Sequence, residues 1–143
     1  MLIVIHRIDV GSTLDEIRDF FLRVYGWDHV YHDLVFLDRV ESWCPLHKRG
    51  KHAAPYNTGS RGVGIVGDFR KNICPPSQWD LAVGLCADAL NEKGLWPHTV
   101  LYRGGNPYHR LSGHGELPGV SKDCPGRLFD MRLFRGDVRD RVG

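Results

Sequence analysis

Leu2-Ile3-Val4-Ile5 is an uninterrupted apolar run, followed within a few residues by the signature of an amphipathic helix. A strand with no polar face has to be covered on both sides, which commits the chain to helices packed on a sheet. Ser12-Thr13 opens the first helix, with Glu16 placed three residues after Thr13 to complete a capping box. Leu14, Ile17, Phe21 and Val24 then recur at helical spacing until Gly26 stops the run. A second helix is predicted from Pro75-Pro76-Ser77, with Ser77 as N-cap, to Gly94. Its stripe of Trp79, Val83, Cys86 and Leu90, widened by Ala82, Leu85 and Ala89, suits a helix lying flat on a sheet. Tyr31 to Leu37, Gly62 to Val66 and Thr99 to Tyr102 read as further strands, and Ser42 to Ser60 as loop. Pro125 fits the first turn of a last helix through Phe134. The expectation is an α/β fold, a central mixed β-sheet flanked by about three helices, in one domain over residues 1–143.

Charge and cysteine usage narrow the class. A formal charge of +2 is too small to imply nucleic-acid binding. Five arginines between Arg127 and Arg141 are interleaved with Asp130, Asp137 and Asp140, which reads as a solvated helix face. Cys44, Cys74, Cys86 and Cys124 are too widely spaced for a disulfide scaffold and suit a reducing compartment. The Met1 to Ile5 run is too short for a signal peptide, and no stretch is long enough to span a membrane. Cytoplasmic synthesis is therefore expected.

The chemistry concentrates near the C-terminus. Gly113-His114 is followed, ten residues after the histidine, by Lys122-Asp123-Cys124-Pro125-Gly126. His6, next to the first apolar run, is a third soft donor. Singly, a histidine beside a strand or a cysteine before Pro-Gly is more often a packing residue than a ligand. Jointly, two imidazoles and a thiolate are the set of a catalytic zinc site with one position left open. A helix starting at Pro125 would also favour the Cys124 thiolate.

Four segments, in order, resemble the zinc-dependent N-acetylmuramoyl-L-alanine amidase family, which includes phage lysozyme-type amidases and peptidoglycan recognition proteins. They are Ile3 to His6, then Gly26-Trp27 with Val30-Tyr31-His32. His52-Ala53, Tyr56-Asn57 and Gly62 to Phe69 form the third, and Gly113-His114 with Lys122 to Gly126 the fourth. The resemblance covers about residues 3 to 130. It departs at Arg7-Ile8-Asp9, where the family has small residues, and at Glu116 to Gly119, where the loop is slightly longer.

The resemblance implies a Zn2+ site held by His6, His114 and Cys124, with zinc activating water and polarising the scissile carbonyl. It implies Tyr31 and Lys122 as catalytic groups that stabilise the oxyanion, and His52 and Asn57 as substrate contacts. Asp33, expected on the same strand face as Tyr31, reads as a strand-edge carboxylate in preference to a base or an orienter of a ligand histidine. The implied partner is bacterial peptidoglycan, with no nucleic acid and no membrane, acted on by a monomer. The resemblance extends to phage endolysins, which are made in the cytoplasm and reach the cell wall at lysis. Two other readings stay open: a peptidoglycan-binding module without activity, and a structural zinc domain closed by a fourth ligand, for which His109 is nearest in sequence.

Overall fold

The structure, a computed structural model, describes residues 1–143. Its strands are β1 (Leu2–Ile8), β2 (Asp33–Val35), β3 (Val40–Ser42), β4 (Ser60–Val66), β5 (Val100–Arg103), β6 (Asn106–His109) and β7 (Leu111–Gly113). Its helices are α1 (Leu14–Tyr25), α2 (Pro76–Lys93) and α3 (Met131–Arg141), with a single 3-10 turn at His114–Glu116. Five strands form one sheet in the order β3-β2-β4-β1-β7, and β5 and β6 make a separate hairpin. β1 runs parallel to both β4 and β7, β2 is parallel to β4, and β3 is antiparallel to β2. The sheet is mixed and flanked by three helices, as the sequence pattern implies.

Alternation along β1 sorts its side chains between two layers. Ile3 and Ile5 join Val83, Cys86, Leu90, Phe134 and Val138 in a core beneath α2 and α3. On the other face Val4 packs with Ala53, Tyr56 and Leu117, while Ile8 packs with Ile17, Phe21 and Leu34. His6 falls between Val4 and Ile8, in the gap between these two smaller clusters.

The capping box of α1 forms as expected, with Thr13 Oγ1 accepting from the Glu16 N–H at 3.2 Å. α2 starts two residues earlier than an N-cap at Ser77 would place it. Pro75 occupies the N-cap position and Pro76 the first turn, so Ser77 caps nothing. Gln78, fully buried, donates to the carbonyls of Val35 (3.0 Å) and Val66 (2.7 Å), tying α2 to the ends of β2 and β4.

Three further expectations fail. The last helix does not start at Pro125: Asp130 caps it by accepting from the Leu133 N–H at 3.1 Å, and 125–130 is turn. Nor is its arginine face wholly solvated. Arg135 is buried, donating to the Leu111 carbonyl at 2.7 Å and pairing with Glu116 at 2.9 Å. Along the second strand, β2 begins only at Asp33, so the alternation assumed from Tyr31 is broken. Tyr31 packs in the layer of α1, whereas Asp33 makes a two-pronged ion pair with Arg61 (2.7 and 3.1 Å).

The turn after Cys124 is held against β4's exit. The Leu128 N–H donates to the Phe69 carbonyl at 2.9 Å. Gly126 has φ of +128°, and a Cβ there would lie 2.5 Å from the Phe69 carbonyl carbon. Gly126→Ala is therefore expected to destabilise the protein by about 1–3 kcal/mol, read as a lower urea midpoint. An unchanged midpoint would show that this turn can yield without cost.

Candidate metal centre and cleft

Parallel pairing sets Ile5 opposite Gly113, so the next residues, His6 and His114, emerge side by side from adjacent strands. Their ring centroids are 4.7 Å apart. Cys124 Sγ lies 3.8 Å from His6 Nδ1, and the donor atoms of His6, His114 and Cys124 all fall within 4.8 Å of one another. The loop bearing the cysteine is clasped from two sides. The Gly115 N–H donates to the Cys124 carbonyl at 2.7 Å, and the Arg7 guanidinium donates to the Asp123 carbonyl. Arg7, the residue that departs from the family pattern, thus fastens the loop to β1.

Burial sets the protonation states. His6 is fully enclosed, and desolvation, then the neighbouring His52 and His114, holds its pKa well below the usual value. Desolvation, with Lys122 adding to it, brings His114 down to about 4. Both imidazoles are therefore neutral at neutral pH, with lone pairs available to a metal. Burial pushes the Cys124 thiol up, opposed by Arg7 and Lys122. Since α3 starts at Met131, no helix N-terminus assists the thiolate, which corrects that expectation. Two buried, neutral imidazoles and one half-buried thiol, convergent, suit a borderline-soft ion such as zinc. The cluster has three members, and His109 lies on β6, with its Nδ1 3.3 Å from the His98 carbonyl, so no fourth protein donor closes it.

The cluster opens into a cleft of about 610 Å³ that also takes in Tyr31 and Lys122. The Tyr31 ring sits 5.2 Å from that of His6, and burial raises the phenol's pKa, which keeps it a neutral O–H donor. Tyr25 and Trp27 stack at 4.7 Å on one wall, with Lys51 Nζ 5.5 Å from the Trp27 ring centre. Arg7, Asp9 and Arg70 also line the cleft, where Arg70 is braced by Asp9 at 2.9 Å and by Asp68 at 2.8 Å.

His52 lies behind His6. Its Nδ1 is 3.0 Å from His6 Nε2 and its Nε2 is 3.0 Å from Ser60 Oγ, while burial brings its pKa down to about 3. Asn57 Oδ1 accepts from the N–H groups of His52 (3.1 Å) and Ala53 (2.7 Å). With these atoms engaged, the two residues suit support of the site better than contact with substrate. Sequence reasoning missed Arg7, Ser60 and Gly62. A Cβ at Gly62 would lie 2.5 Å from the His52 ring, so only glycine admits that imidazole. The one available signal was a glycine inside a strand, which marks close approach.

Fold and donor set together define a small α/β protein with an open three-donor centre at the C-terminal end of parallel strands. The model of the N-acetylmuramoyl-L-alanine amidase family matches residues 1–127, and the chain belongs to that family. It is 26% identical over 136 residues to peptidoglycan-recognition protein 2 of Holotrichia diomphalia, covering 92% of this chain and 66% of that protein. The chain spans only 58–66% of the length of the first curated relatives it matches. Among solved structures it is similar to the Ph2119 endolysin of the Thermus scotoductus bacteriophage Ph2119 (28% identity, TM-score 0.72, 96% of this chain and 83% of that one). Its fold also matches the endolysin N-acetylmuramoyl-L-alanine amidase LysCS from Clostridium intestinale (19% identity, TM-score 0.77, 99% and 84%).

If the three donors act together, Cys124→Ala abolishes zinc retention, measured by metal analysis after dialysis. Full zinc occupancy in that variant would remove Cys124 from the donor set.

Proposed function

We propose that the chain, acting as one catalytic domain, hydrolyses the amide between N-acetylmuramic acid and L-alanine in bacterial peptidoglycan, with Zn2+ held by His6, His114 and Cys124. The observation that carries this reading is the convergence of those donors on a cleft that also holds Tyr31 and Lys122. Bound zinc supplies Lewis-acid polarisation of the scissile carbonyl and a water of lowered pKa. The chain's own residues supply the rest. The neutral Tyr31 hydroxyl donates to the oxygen on which negative charge develops. The Lys122 ammonium, two residues from a donor and lining the same cleft, adds charge stabilisation. Burial of Tyr31 keeps bulk water from screening its hydroxyl, whereas Lys122 is exposed at the cleft. The aromatic wall at Tyr25 and Trp27 and the arginine-lined wall frame the groove for a glycopeptide.

The similarity to a phage endolysin supports a role in host lysis, with enzyme made in the cytoplasm and acting on the wall once released. The similarity to peptidoglycan-recognition proteins supports the same ligand class. The cysteine in the cluster favours hydrolysis over binding alone, since it completes a donor set that binding does not need.

Purified peptidoglycan is expected to yield peptides with free N-terminal alanine, identified by mass, and chelator is expected to stop their release. Binding without products would instead indicate a recognition module, and new reducing ends a glycosidase. Lys122→Ala is expected to retain zinc while losing about 10²–10³-fold in turnover. A near-wild-type rate would strip Lys122 of a catalytic part.

A further inference from the structure

The chain of contacts behind His6 has a direction fixed at its far end. Ser60 Oγ lies 3.0 Å from the Asn57 backbone carbonyl, which can only accept, and 3.0 Å from His52 Nε2. A hydroxyl has one proton to give. If it goes to the carbonyl, Ser60 Oγ must accept from His52, which puts the His52 proton on Nε2. His52 Nδ1 is then a bare acceptor, and His6 Nε2, 3.0 Å away, must be the donor. That leaves His6 Nδ1 without a proton, and Nδ1 is the atom 3.8 Å from Cys124 Sγ. In the reverse direction Ser60 would donate to His52, two acceptor oxygens would face each other at 3.0 Å, and His6 would present an N–H to the donor cluster.

We propose that His52 and Ser60 are positioning residues: a hydrogen-bond chain from His6 Nε2 through His52 and Ser60 Oγ to the Asn57 carbonyl locks His6 with its Nδ1 lone pair aimed at the donor cluster. Several features serve this arrangement. The Asn57 side chain holds the backbone at His52 and Ala53. Gly62 leaves room for the His52 ring against β4. Ser60 is itself the first residue of β4, so the anchor of the chain is set by the strand that pairs with β1. The inference deepens the zinc reading of His6, but it assigns work to residues outside the donor trio. Partners that orient a metal-binding imidazole in this way are typically worth about 10–100-fold in metal affinity.

The test uses the full chain with ¹⁵N-labelled histidine, its tautomers read before zinc is loaded, because zinc on His6 Nδ1 would itself fix the His52 tautomer through the 3.0 Å contact. Imidazole ¹⁵N shifts report which nitrogen of His52 bears the proton, and competition with a chelator gives the zinc affinity. Wild type is expected to carry the His52 proton on Nε2. Ser60→Ala is expected to mix the His52 tautomers and weaken zinc binding by about 10–100-fold, and Ser60→Thr, which keeps the hydroxyl, to restore both. A His52 proton on Nδ1 in wild type overturns the proposal, even if no variant folds. So does a Ser60→Ala protein whose tautomer is unchanged, whatever its affinity. Neither readout involves hydrolysis, so loss of the amidase reading would leave a different mark: zinc bound, tautomer as expected, and no peptide released.

Discussion

β1 lies at the centre of the protein's chemistry because it is parallel to both neighbours. Parallel strands end at the same edge of a sheet, so residues that leave β1 and β7 at corresponding positions stay together without any bond between their side chains. His6 and His114 come from opposite ends of the sequence, yet their proximity follows from one register, Ile5 against Gly113. That register is held by burial. Ile3 and Ile5 lie under α2 and α3 while Val4 and Ile8 lie under the other layer, so a one-residue slip would turn every one of them to the wrong face.

Placing imidazoles in such a setting carries a cost, since polar rings excluded from water need partners. The fold meets it by extending the polar contacts away from the cleft, from His6 through His52 and Ser60 to a backbone carbonyl. His32 is treated alike, with Nδ1 accepting from the Gly62 N–H at 2.9 Å and Nε2 2.7 Å from the Lys48 carbonyl. The region thus has a polar interior layer between two apolar clusters. Rigidity at the donors comes from that layer as much as from the sheet.

Local signals were readable in the sequence wherever the cause was local. The apolar run at Leu2 to Ile5, the capping box of Thr13 and Glu16, and the stripe on α2 each depend on residues within a few positions. Whatever depended on tertiary partners was not. β7 has three residues and no periodicity; it is a strand because β1 lies beside it. Pro125 carried the mark of a helix start, but Asp130 offered a side-chain acceptor where the backbone needed one. Tyr31 and Asp33 were two apart in a strand-like run, and the turn at His32 separated them into different layers. The donor trio was legible from residue types and family pattern. The support behind it was not, because His52 and Ser60 meet His6 only across the fold.

The donors span the chain from His6 to Cys124, a separation of 118 residues, and this bears on biosynthesis. During synthesis His6 is made 118 residues ahead of Cys124 and stays an incomplete ligand until that residue follows. β1 cannot pair with β7 until Leu111–Gly113 has emerged, and the two imidazoles meet their thiol only once the Cys124 loop follows. A chain terminated before Cys124 therefore has no complete donor set, and the centre is completed only after that residue is made.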